Sequence, residues 1–236
     1  MRDIEKIIID HNINSLFTLD DLRPYFPSDN SLYSYLKRAV QQEKIVRVKK
    51  NLYFIHMRCR EREYFFYPEG FIPLIDETAY LSDSWVLAWY YNWILETVTN
   101  LFATSQKKSN TISYYNRGIY IKKIEQKDFT KGTFFRDLSG EKYLCRVAKP
   151  LKAVCDHIIR YKFDKDHFNR GVLHWFEYSE RTELYDLEEL KDEDFSELLG
   201  NYPKYPIVDW FLDKLNSELE EYKRTRETPW RTDKFY

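Results

Sequence analysis

The sharpest change of rhythm in the chain falls at residues 29–55, DNSLYSYLKRAVQQEKIVRVKKNLYFI, where apolar positions pass from helical spacing to strand-like runs. Leu32, Leu36, Ala39 and Val40 recur at helical intervals and mark one narrow apolar stripe. Asp29 or Asn30 is placed to cap this helix, because a side-chain oxygen there takes orphan N–H groups of the first turn. Its other face carries Ser31, Tyr33, Ser34, Lys37 and Arg38. Ile45, Val46, Val48, Leu52, Tyr53 and Phe54 are strand formers, and Lys50-Asn51 between them predicts a hairpin turn, since Asn tolerates positive φ. Upstream, Ile4, Ile7 and Ile8 give residues 1–12 an inward face. Thr18 is placed to cap a second helix, LDDLRPYF, with acids in its first turn, Pro24 early enough to be tolerated and Pro27 closing it. Residues 1–55 therefore read helix, helix, helix, hairpin.

A polar-faced helix followed by a short basic hairpin is how a winged helix-turn-helix meets a duplex, with the helix in the major groove and the hairpin tip on phosphates. We place that domain at 1–62. Residues 63–75 form a connector, and Arg58, Arg60 and Arg62 just before it alternate, so that on a strand they would share one face and pair with acids. From Glu77 to Glu96 the pattern predicts a helix with Leu81, Trp85, Leu87, Ala88, Tyr91 and Leu95 inward and Ser82 or Asp83 as its cap. Short strand-like runs fill 97–147, broken at Asn116, Gly118, Gly132 and Gly140, and predict a small antiparallel sheet. A helix starts at Pro150, with Leu151, Val154, Ile158 and Ile159 buried, and two more follow at 186–201 and 206–224. The expected fold class is α+β: a winged helix-turn-helix, then a mixed α+β domain at 76–236 with a small antiparallel sheet.

Charge sharpens the division. The whole chain nearly balances, with 37 basic and 38 acidic residues. Between Lys37 and Arg62, however, nine Lys or Arg face two Glu, a net of +7, whereas between Glu177 and Gly200 ten acids face two bases, a net of −8. A basic N-terminal stretch and an acidic C-terminal one suggest two tasks. Three cysteines, an odd number without a CxxC, fit a reducing compartment. With no apolar run near 18 residues and no signal-like start, a cytoplasmic protein that does not enter membranes is expected.

Candidate chemistry follows the same split. Arg47, Lys49 and Lys50 suit phosphate contacts; Ser31, Tyr33, Ser34 and Lys37 would lie near base edges; Arg38, Lys44 and Asn51 complete the expected DNA-binding set. The plainer alternative is a solvated helix and hairpin, with Tyr33 packed against the second helix. Cys145, Cys155 and His157 lack the spacing and fourth ligand of a metal site, and buried thiols are expected instead. Asp156 and His157, adjacent on a helix, point apart and make no catalytic pair; Lys152 and Asp156, four apart, suggest a surface ion pair. His167, His174 and the acids of 177–183 lack a nuclease pattern, and neither a phosphate loop nor GxSxG occurs. No enzyme, metal or cofactor is expected. The acidic stretch 177–200 reads as a helix face or as a docking surface for a basic protein.

Three stretches resemble the AbiEi family of antitoxins, the transcriptional regulators of type IV toxin–antitoxin (abortive-infection, phage-defence) systems. They are FTLDDLRPYF…SLYSYLKRAVQQEKIVRVKKNLYFI, then YLSDSWVLAWYYNWI with TVTNLFATS, and VAKPLKAVCDHI, which is similar to the family's A-x-P-x-K-A-x-x-D helix start. Together they span about 17–160. The chain departs from the family at Asn51, where wings usually turn on Gly, at Ser84-Trp85-Val86 in place of Ser-Ala-Leu, and after 165, where it matches nothing. The resemblance implies a repressor binding operator repeats in its own promoter, as a homodimer or as cooperative monomers on double-stranded DNA. It also implies an antitoxin opposing a nucleotidyltransferase-type toxin encoded next door, without requiring a stable complex. The alternatives are a protein-interaction module that docks through the same helices and the acidic surface, and a nuclease or transferase sited in the C-terminal half.

Overall fold

The computed structural model of the chain describes residues 3–13, 16–55, 70, 72–89, 91–93, 98–114, 117–137, 144–180, 182, 187, 190 and 192–227. The chain is mixed α+β and divides into two compact units, Met1–Tyr67 with Ile112–Asn116, and Pro68–Thr111 with Arg117–Tyr236. Arg58, Arg60, Arg62, Cys59, Leu95, Glu96, Asn116, Gly140 and most of the 63–75 connector lie outside the described residues.

The first unit runs α1 (Ile4–Asp10), β1 (Leu16–Thr18), α2 (Leu19–Leu22), α3 (Asp29–Gln41), β2 (Val46–Lys49) and β3 (Leu52–Phe54). Asp21 takes both the backbone N–H and the hydroxyl of Thr18, at 2.6 and 2.7 Å, and this reciprocal cap starts α2 where the sequence placed it. The expected eight-residue helix is not formed. Pro24 has no N–H and crowds the preceding turn, so α2 stops at Leu22 and the chain tightens into a 3₁₀ turn at Arg23–Tyr25. The cap of α3 is Ser28, one position before the two expected candidates; its extended backbone lets Oγ accept from Ser31 N–H at 3.3 Å. Leu32, Leu36 and Ala39 are buried as expected, with Tyr35 beside them and Val40 only half-buried.

β3 is the centre of a three-stranded antiparallel sheet, order β1-β3-β2. The sequence reading missed β1, which is three residues long and too short to display alternation. The β2–β3 hairpin turns at Lys50-Asn51, and Asn51 takes φ 62°, the left-handed conformation its side chain tolerates. The register slips between Arg47, opposite Tyr53, and Lys49, opposite Leu52; Val48 is the extra residue and its side chain is buried. Helices and sheet close over one core in which Phe17 stacks on Tyr53 with ring centres 5.9 Å apart, and Phe26 tilts against Tyr35 at 5.0 Å.

The rest of the chain contains α4 (Ile72–Ile75), β4 (Tyr80–Leu81), α5 (Asp83–Trp89), β5 (Leu101–Ser105), β6 (Asn110–Tyr114, which the first unit claims from Ile112 on), β7 (Arg117–Lys123), β8 (Thr133–Asp137), β9 (Leu144–Ala148), α6 (Pro150–Tyr161), α7 (Val172–Trp175), α8 (Asp192–Leu198) and α9 (Pro206–Glu227). Two expectations fail here. Residues 77–96 are not one helix: Tyr80 and Leu81 join a sheet, and the helix begins only at Asp83, whose φ of 67° turns the chain sharply out of β4. The C-terminal sheet is not antiparallel either. Within the second unit its order is β7-β5-β4-β9-β8, with β5–β7 and β4–β9 parallel and β4–β5 and β8–β9 antiparallel. Gly118 lies inside β7 rather than breaking it, and the ring of Tyr120 folds back over the space a Cβ would need. Gly132 does supply a turn, at φ 63°.

α6 is the axis of this unit. Leu151, Val154, Ile158 and Ile159 are buried as the pattern predicted, but so are Lys152, Cys155, Asp156 and His157, which makes α6 a helix enclosed on nearly every side. Among the described residues, no helix is long and apolar enough to cross a membrane.

Candidate functional site

Two places in the chain gather charged or polar side chains, and they differ in exposure. The first is the outer face of α3 with the β2–β3 hairpin. Tyr33, Ser34, Lys37 and Arg38 are exposed on α3, and Ser31 is half-buried beside the cap. Lys44, Arg47, Lys49, Lys50 and Asn51 are exposed on the approach to the hairpin and along it. Tyr33 keeps 48 % of its surface in solvent.

Within this face the cations divide into held and free. Arg23 spans Asp20 and Asp29, with Nε 2.9 Å from the Asp29 carboxylate, and those two carboxylates raise its pKa further. Arg38 donates from Nε to the Ser34 carbonyl at 3.2 Å, which draws its side chain back along the helix. Lys44 lies 3.7 Å from Asp3. Lys37, Arg47, Lys49 and Lys50 take no ion-pair or hydrogen-bond partner among the described residues. Cations placed in this way keep their full attraction for an external anion.

The second place is the buried polar centre around α6. Asp156 accepts four hydroxyl groups: Tyr80 and Ser82 at 2.6 Å, Thr104 at 3.0 Å and Tyr202 at 3.1 Å. Burial raises its carboxyl pKa against the opposing pull of Lys152 and the hydroxyls. Three of these hydroxyls converge on Oδ2 and that of Tyr202 reaches Oδ1, so the carboxylate is held by donors from four separate positions of the unit. The expected surface ion pair of Lys152 with Asp156 is thus corrected: both are fully buried, and the Lys152 ammonium donates to Gln126 Oε1 at 2.6 Å. Gln126 in turn donates to Tyr80 Oη at 2.7 Å, and the rings of Tyr80 and Tyr202 flank the ammonium at 5.0 and 5.5 Å. Burial lowers the Lys152 pKa.

On the adjoining side of α6, the Asp83 carboxylate holds His157 Nδ1 at 2.8 Å, Arg160 Nε and the N–H of Ser84 at 2.5 Å. His157 Nε2 lies 3.7 Å from Glu180. Burial pulls the imidazolium pKa down, but the carboxylates of Asp83 and Glu180 outweigh it and hold His157 at about 9. Asp156 and His157 do point apart, as helix geometry requires, and each is engaged by a different set of partners. These contacts join α5, α6, β4 and β5 and cross-link the unit. Cys145 and Cys155 are buried thiols, and burial pushes that of Cys155 well above its ordinary pKa. Among the described residues, no group of three His, Cys, Asp or Glu is placed to hold a metal ion. His167 instead pairs with Asp164 at 2.7 Å, and His174 stacks on Tyr178 at 4.3 Å.

Gln126 and Thr104 escaped the sequence reading, and Asp83 entered it only as a helix cap, since single polar residues inside apolar stretches carry no signal of their partners. The A-x-P-x-K-A-x-x-D likeness did mark Lys152 and Asp156, though not their burial. No protein-family model matches the chain, and no curated protein matches it.

Proposed function

We propose that the chain is a DNA-binding transcriptional repressor whose first unit is a winged helix, with α3 entering the major groove and the β2–β3 hairpin acting as the wing. The observation that carries this reading is the set of exposed cations Lys37, Arg47, Lys49 and Lys50, without partners among the described residues, on one helix and the hairpin that follows it, next to cations that the unit ties down itself. Phosphate contacts from such a hairpin supply affinity and salt dependence, while groups on the helix reach base edges. One such unit spans only a short half-site, so operator repeats would be occupied by two copies. The resemblance to AbiEi antitoxins extends the proposal to the second unit, which would oppose a nucleotidyltransferase-type toxin. The four buried hydroxyls gathered on Asp156 support a cross-linking role for this centre in the second unit.

A reporter placed behind the gene's own upstream region tests the repressor half. Expression of the protein should lower reporter output, and Lys49→Ala with Lys50→Ala should restore it at equal protein level. Co-expression with the neighbouring gene tests the antitoxin half, with rescue of growth as the expected result. Unchanged reporter output with folded protein would shift the first unit to the docking role.

A further inference from the structure

α3 presents two side-chain rows to solvent, and they differ in what holds them. Ser34 and Arg38 form one row, four residues apart, and are engaged with each other through the 3.2 Å bond from Arg38 Nε to the Ser34 carbonyl. Arginine is the commonest reader of guanine because its planar fork meets O6 and N7 together. Here the Nε of Arg38 is given to a backbone acceptor, which draws the side chain toward the first half of the helix. The neighbouring row is Tyr33 and Lys37, also four apart, both exposed, with the Lys37 ammonium unpartnered among the described residues. Arg47, Lys49 and Lys50 supply exposed cations for phosphates on the hairpin, and Lys37 is the lysine that α3 itself presents.

We infer that Lys37 reads a guanine through its N7 and O6 acceptors, with Tyr33 lying against a thymine methyl group within about two base pairs of it. This rests on the DNA-binding reading above and adds the base class to it. Donor count and geometry favour guanine. An ammonium carries three donors and no acceptor, and guanine offers two acceptors side by side in the major groove, whereas adenine sets a donor next to its single acceptor. Four residues of helix rise by about 6 Å, and successive bases by about 3.4 Å, so the two side chains reach within roughly two base steps of each other. The Tyr33 ring, half in solvent, is the apolar surface on this row that a thymine methyl can cover.

The test uses the full chain and a duplex pool with a randomised core. Sequences enriched by the wild-type protein define the site, and each guanine in that site is then replaced singly by 7-deazaguanine, which removes N7 and keeps base pairing. At one guanine the wild type should weaken by roughly fivefold or more, while Lys37→Met, which keeps the length of the stem, should bind natural and modified duplex equally. Deoxyuridine at a thymine within two positions should weaken the wild type and leave Tyr33→Ala unchanged. Circular dichroism confirms that each variant is folded. An enriched site without guanine, tolerance of 7-deazaguanine at every position, or an equal loss in Lys37→Met overturns the assignment while leaving DNA binding standing. A pool from which nothing is enriched overturns both.

Discussion

Changing Lys49 and Lys50 together to alanine removes two of the three free hairpin cations and leaves the core of the first unit untouched, since both side chains are exposed and lack partners among the described residues. Each phosphate neutralised in a B-form duplex contributes about 0.9 to the slope of log affinity against log salt. Three contacts, from Arg47, Lys49 and Lys50, give a slope of about −2.7, and the one that remains in the variant gives about −0.9. Between 50 and 200 mM salt the wild type should therefore lose affinity about forty-fold and the variant only about three- to four-fold. Fluorescence anisotropy on one labelled duplex at four salt concentrations reads both slopes, with circular dichroism confirming equal folding. Parallel lines for the two proteins, whatever their offset, would refute the placement of the hairpin against phosphates.

Other consequences follow from the geometry. Ser28→Ala removes the acceptor for Ser31 N–H and should cost about 1 kcal/mol in urea unfolding, with no change in salt slope. Asp156→Ala strands four buried hydroxyls and should cost about 3 kcal/mol or more; a shift in midpoint equivalent to less than about 1 kcal/mol would contradict the role given to this centre. His157 has its folded pKa raised from 6.5 to about 9, so the stability it adds is complete below pH 6.5 and is lost as pH rises through about 9. Melting temperatures of the wild type should fall across that window more steeply than those of His157→Gln, and superimposable profiles would dismiss the imidazolium. Asn51→Gly should be close to neutral in stability, whereas Asn51→Val, forced to positive φ, should destabilise the hairpin.

The elements legible in the sequence are those whose determinants are local. α3 and α6 show three or four turns of helical periodicity, and the Lys50-Asn51 turn is encoded by the one residue that takes positive φ there. What the sequence hid depends on partners distant along the chain. Tyr80 and Leu81 sit in a stretch with helical spacing, yet they are drawn into the sheet by strands more than twenty residues away, a tertiary override of local pattern. Lys152 and Asp156 look like a surface pair at the i, i+4 spacing; their partners Gln126, Tyr80 and Tyr202 come from three other segments. β1 offers only Leu16, Phe17 and Thr18, and its pairing with β3 becomes visible only once both are placed. The exposed face of α3 was legible residue by residue. Which of its cations are free was not, because that depends on where Arg38 and Lys44 find acceptors.

The measurement that bears most directly on the account is equilibrium binding of the purified protein to a duplex from its own gene's upstream region, set against an unrelated duplex of equal length, at 50 and 200 mM salt. Specific binding predicts a tighter complex with the upstream duplex at both concentrations and a steep loss of affinity for both duplexes at the higher salt. Equal and weak binding of the two duplexes, insensitive to salt, by a protein shown to be folded, would contradict the assignment of α3 and the β2–β3 hairpin to DNA.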